Sequence, residues 1–125
     1  MLSKAKIQLI RSLEQKKYRT QHGLFVVEGD KTVREILDSP LTVEYLFAMP
    51  VWLEQLPAHL LTKENQVIKT NDTELSKISF LKTPNQAMAL VRIPQYLLSV
   101  TDITGALSLY LDGYRIRATW VPSSA

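Results

Sequence analysis

The chain has 125 residues, enough for one small domain with a tail, and its 46% hydrophobic content can supply a core. It contains no cysteine, which excludes a disulfide framework and a thiolate metal site; its two histidines, His22 and His59, have no ligand spacing for zinc. The net charge is only +3, but residues 1–22 carry Lys4, Lys6, Arg11, Lys16, Lys17 and Arg19 against Glu14 alone, while the rest of the chain has 9 basic and 11 acidic residues. All of the positive excess therefore sits at the N-terminus, where a polyanion would meet it first; a solvated helix face is the plainer reading of the same cluster.

No run reaches membrane-spanning length, and the first residues lack the apolar core of a signal peptide. A soluble cytoplasmic protein is the expectation, with no membrane partner.

In chain order, Leu2, Ala5, Leu9, Ile10 and Leu13 share one side of a helical wheel with Lys4 and Arg11 opposite. That spacing predicts an amphipathic helix over 3–15, with Ser3 as its N-cap. Lys16, Lys17 and Arg19 then form a basic surface segment that turns at His22-Gly23 into an apolar run, Leu24–Val27, read as a short buried strand. Glu28-Gly29 closes this strand, and glycine there permits a sharp turn or the close approach of a ligand. Val33, Ile36 and Leu37 follow at i, i+3, i+4, so a helix runs from about 31 to 37, stopped by Ser39-Pro40.

Residues 42–49 (TVEYLFAM) read as a second strand, and Pro50 suits the first turn of a short helix over 51–56. Trp52 in that helix reads as packing rather than as a stacking platform for a base. Val67-Ile68 is a third strand, and Asn71 or Asp72 caps a helix ending at Ile78 with Leu75 and Ile78 inward. After a loop over 79–85, residues 87–93 (AMALVRI) form a near-continuous apolar run, which marks a strand covered on both faces. This alternation points to βαβ units and an α/β fold, a three-layer α/β/α sandwich. Residues 95–105 read as a linker, and 106–111 (ALSLYL) as one more buried strand ending on Asp112-Gly113.

KYR followed by GLFVVEGDKTVREIL, with LSKISFLKTPNQAMALV further on, resembles the start of the SpoU/TrmH-type RNA 2'-O-ribose methyltransferases. The usual run there is a basic K-x-R, then G-x-F-x-V-E-G and a helix, and later a T-P-x-x-x-x-A-V pattern. The resemblance covers residues 4 to about 94, the family's substrate-binding domain, and continues to LYLDG at 109–113. It implies an RNA-binding domain (residues 1–94) of the α/β/α kind seen in kink-turn-binding ribosomal proteins. It also implies S-adenosylmethionine as cofactor and dimerisation for the full-length family, both through a knotted domain that this chain does not contain.

The family's catalytic domain begins at LDG and continues with (I/V)-Q-D-P-G-N-x-G-x-x-x-R, whereas residues 114–125 read YRIRATWVPSSA. Reverse-translated and read one nucleotide earlier, this tail gives IQDPGNLGTIIR, and the single Trp codon at Trp120 forces the glycine that follows. On this reading, 106–113 is the first strand of the missing domain and 114–125 an out-of-frame tail. Arg115 and Arg117 are then by-products of the shift, and no catalytic residue is assigned. The chain also lacks a Ser/His/Asp set, a P-loop, a G-x-G-x-x-G and an H-x-x-x-H.

The expected role is recognition of RNA, ribosomal or transfer, and not of DNA. Lys16, Lys17, Arg19 and Lys31 are the expected phosphate contacts, with Lys82 on the same edge. Glu28 and Gly29 mark the strand-end loop, where a carboxylate or backbone amide meets a base or 2'-OH. Alternatively, Glu28 holds Arg19 or Lys31 in place by an ion pair. Two other classes stay open: an active methyltransferase, if the reading frame continues, and a free-standing ribosomal RNA-binding protein, which the leftover LYLDG strand argues against.

Overall fold

In the computed structural model, residues 2–60, 66–80 and 85–97 are described. Ser3 starts the first helix, α1 (Lys4–Ser12), its hydroxyl accepting a hydrogen bond from the Lys6 amide at 3.1 Å. The amphipathic stretch does not run on to residue 15. A second helix, α2 (Lys16–His22), follows it and ends at Gly23, whose φ of 66° places it in the left-handed region that suits glycine at a helix C-terminus.

Four strands form one sheet in the order β1-β4-β2-β3: β1 (Leu24–Glu28), β2 (Val43–Ala48), β3 (Gln66–Lys69) and β4 (Ala87–Arg92). Three helices connect them: α3 (Asp30–Leu37), α4 (Pro50–Gln55) and α5 (Asp72–Ile78). Pro50 opens α4, and Asn71 caps α5 in a capping box with Glu74.

The sheet is mixed. β2 and β3 pair in parallel as the βαβ reading requires, but β4 runs antiparallel between β1 and β2. Its apolar run suits this central place, since Ala87 to Val91 are buried and only Arg92 at its end is exposed. On one face Phe25, Val27, Ala89 and Val91 pack beneath Val33 and Ile36 of α3 and Trp52 of α4. On the other, Leu24, Val26, Met88 and Leu90 pack beneath Ile10 and Leu13 at the end of α1 and Leu75 and Ile78 of α5. These are the three layers of an α/β/α sandwich.

A register shift between Val43 and Tyr45 turns Val43 to the same face as Leu46 and Ala48, which simple alternation would forbid. Leu97, in a short 3₁₀ turn at Gln95–Leu97, is buried against the α3–α4 face, so this one residue of the expected linker packs on the domain core. The strand expected at 106–111 and the tail at 114–125 lie outside the described residues.

One end of the sheet, hereafter the sheet edge, brings Glu28 and Gly29 to the turns between strands and helices. Glu28 pairs with Met88, Ala48 with Ala87, and Ala48 also with Lys69. The ends of β1, β2 and β3 therefore meet the start of β4 there, and α3, α4 and α5 all begin beside it.

Candidate nucleic-acid interface

At this edge β1 ends on a carboxylate inside the protein. Glu28 is 2% exposed; its Oε1 accepts from the Ser79 hydroxyl at 2.6 Å and its Oε2 from the Phe80 amide at 2.8 Å. A buried carboxylate must find donors, and the two residues that follow α5 supply them. The expected ion pair of Glu28 with Arg19 or Lys31 is thus replaced by bonds to Ser79 and Phe80, and this buried group does not offer its oxygens to an RNA.

Gly29 then turns the chain with φ 115° and ψ 135°, a conformation closed to residues with a Cβ. Its amide donates to the Ala87 carbonyl at 3.2 Å, and its carbonyl accepts from the Val33 amide at 2.9 Å. Asp30 Oδ1 accepts from the Gln86 amide at 3.0 Å. Glu28, Gly29 and Asp30 together bind both flanks of the chain that joins α5 to β4.

The basic stretch divides in two. Lys17 is exposed and Lys16 partly so, both on the first turn of α2, and Lys31 is exposed in the first turn of α3. Arg19 is 1% exposed, and its Nη1 donates to the carbonyls of Leu13 at 3.1 Å and Glu14 at 3.0 Å. It satisfies carbonyls left over where α1 ends, and burial lowers its pKa from the ordinary guanidinium value. Arg19 therefore leaves the set of phosphate contacts: the helix that carries it turns it inward. Lys82 lies outside the described residues.

Three residues outside the expected site set shape this edge: Arg11, read only as part of the N-terminal basic cluster, and Ser79 and Phe80 after α5. Arg11 Nη1 donates to the Ser79 carbonyl at 3.1 Å, and its guanidinium carbon lies 5.3 Å from the centre of the Phe80 ring. The available signal was Glu28 itself, since an acidic residue ending an apolar strand has to be met by donors from elsewhere in the chain.

Residues 4–89 match the family described as the MRM3-like substrate binding domain. The chain belongs to this family. The domain is 32% identical over 106 residues to the mitochondrial rRNA methyltransferase 3 of Xenopus laevis, a match covering 80% of this chain and 25% of that protein. Among solved structures it resembles a putative RNA methyltransferase of the TrmH family from Porphyromonas gingivalis. That likeness has a TM-score of 0.67 and 29% identity, and covers 76% of this chain and 37% of the other. An rRNA methyltransferase from Sinorhizobium meliloti is similar with a TM-score of 0.63 and 26% identity, over 75% of this chain and 36% of that one. The substrate binding domain thus spans between a quarter and somewhat over a third of these relatives. The resemblance to SpoU/TrmH methyltransferases read from the motifs holds, as does the α/β fold it implied.

Proposed function

We propose that this chain binds structured RNA, as the substrate-recognition part of an rRNA 2'-O-methyltransferase of the SpoU/TrmH type. The observation that carries the reading is the match of residues 4–89 to a substrate binding domain, because it covers nearly the whole described fold. Lys16 and Lys17 on α2 and Lys31 at the sheet edge supply the phosphate contacts, which position an RNA without reading its sequence. Gly29 brings the backbone to the surface of the same edge, with exposed Lys31 two residues on.

The methyl donor is assigned elsewhere. A crystal structure of the Sinorhizobium meliloti rRNA methyltransferase has S-adenosylmethionine bound, and 35% of that chain is covered here. No catalytic step is routed through the residues of this domain. The expected compartment remains the cytoplasm; the Xenopus laevis relative is mitochondrial, and no described helix is long and apolar enough to cross a membrane.

Binding of the 125-residue chain to a structured rRNA fragment, with duplex DNA as competitor, tests the reading. Saturable, salt-sensitive binding to RNA that DNA displaces poorly is expected. Equal binding to both, or none, would overturn it. A second reading, an active methyltransferase, is favoured by the tail at 114–125, which restores a family motif when shifted by one nucleotide. The DNA sequence around codon 113 decides it: an in-frame continuation into a further α/β domain supports the enzyme.

A further inference from the structure

We propose that Arg11 is an additional RNA phosphate contact and that buried Glu28 is the positioning residue that aims it. This rests on the RNA-binding reading above and extends its site to α1, which that reading leaves out.

The chain of contacts runs from the core to the surface. Glu28 fixes the Ser79 hydroxyl at 2.6 Å and the Phe80 amide at 2.8 Å. Ser79, so held, presents its carbonyl to Arg11 Nη1 at 3.1 Å, and the Phe80 ring lies 5.3 Å from the guanidinium carbon. An exposed arginine ordinarily samples many rotamers, and fixing one of them on binding costs side-chain entropy. Here that ordering is done before any ligand arrives, by a carbonyl on one side and an aromatic ring on the other.

A guanidinium carries five N–H donors, and the bond to Ser79 uses one. Arg11 is exposed, and no carboxylate pairs with it among the described residues. The remaining donors suit a phosphate, which guanidinium groups bind in a forked geometry. Arg11 thus adds a pre-ordered cation to the α1 side of the sheet edge, through Ser79 and Phe80, while Lys31 stands on the α3 side.

An arginine that merely stapled α1 to the end of α5 would show the same contacts, so the experiment must read something a staple does not move. The salt dependence of RNA binding by the whole chain does so. R11A should lower affinity and reduce the slope of log K against log salt by roughly 0.7 to 0.9, the share of one phosphate. R11K keeps the charge but lacks the longer, planar fork that meets the Ser79 carbonyl and a phosphate in one fixed geometry; it should recover the slope but only part of the affinity.

E28D keeps the carboxylate and shortens its reach. If the aimed arrangement is then populated about a tenth of the time, affinity falls about tenfold. In the E28D background R11A should add little, because the arginine is no longer aimed. E28Q can accept from Phe80 and donate to Ser79, so it should bind nearly as the parent does. Should E28D melt below the assay temperature, S79A carries the comparison, since it removes the hydroxyl that Glu28 holds and keeps the carbonyl that Arg11 bonds, so R11A should likewise add little in that background; R11A alone still decides the phosphate contact.

A parent chain that failed to bind RNA would sink the functional reading itself. A parent that bound with a clear salt slope, alongside an R11A variant unchanged in affinity and slope, would sink only this proposal. Full additivity of R11A and E28D would remove the positioning role of Glu28 and leave Arg11 as an independent contact.

Discussion

Two charged segments of one short stretch behave in opposite ways. On α2, Lys16 and Lys17 reach outward while Arg19, on the same helix, is buried; at the end of β1, Glu28 is buried while Lys31, three residues on, is exposed. Charge in the sequence therefore does not by itself mark an interface. The two buried ions hold the backbone: Arg19 closes off the end of α1 and Glu28 fixes the start of the segment after α5. Lys17 and Lys31 stay exposed and Lys16 partly so, and these are the cations that the proposed RNA contact uses. The lesson is to ask of each ion whether nearby backbone groups need it.

The sharpest way to break this comparison is Arg19→Ala. It strands two carbonyls and opens a cavity, so a loss of about 3 kcal/mol is expected in denaturant unfolding. Arg19→Lys should recover only part of this, because the lysine stem ends short of the Nη1 position from which both carbonyls are bonded. A change below about 0.5 kcal/mol, what an exposed site gives, would place Arg19 among the surface cations after all.

Gly29→Ala comes next. The positive φ of 115° must be kept for β1 to turn into α3, so a cost of about 1–3 kcal/mol is expected, measured by thermal melting. An unchanged melting temperature would mean the turn relaxes freely, and the fixed spacing of Glu28 and Asp30 would lose its basis.

Much of this fold was legible in the sequence. Strands β1, β2 and β4 and helix α5 announce themselves by apolar runs and by Asn71 with Glu74 three residues on. Trp52 reads as core and is 1% exposed. What escaped has a physical cause in each case. The seven residues of α2 (KKYRTQH) hold no apolar stripe, and their one buried side chain is an arginine, so periodicity is silent there. The antiparallel place of β4 depends on pairing across some 60 residues, which local pattern does not encode; an apolar run says only that a strand is covered. Lys17 and Lys31 were legible as exposed cations and Lys16 as a partly exposed one; the phosphate contacts proposed for them await the binding measurement. Arg19 and Glu28 were misassigned because residue type was read without backbone need.

Glu74 offers a control outside both segments. Hydrogen bonds from the Leu2 amide, then from the Asn71 amide, hold its carboxyl below the usual 4.5. A carboxyl depressed in the folded state contributes stability above its unfolded pKa and loses it as pH falls through the folded value. Melting temperature should therefore drop on acidification below about pH 4.5 in the parent, and less steeply in E74Q. Identical acid limbs would show that the tie between the start of α1 and α5 does not form in solution.

The smallest expected effect on stability comes from replacing Lys16 and Lys17 together by alanine, below about 0.5 kcal/mol. The same variant tests the central claim most directly. RNA affinity of parent and K16A/K17A is measured over a range of salt concentrations. The account predicts a slope of log K against log salt shallower by roughly 0.7 to 0.9 for each phosphate that a lysine no longer neutralises, with affinity reduced about equally for every RNA tried. Unchanged affinity and slope would make these lysines a solvated helix face and contradict the assignment of α2 to the RNA interface.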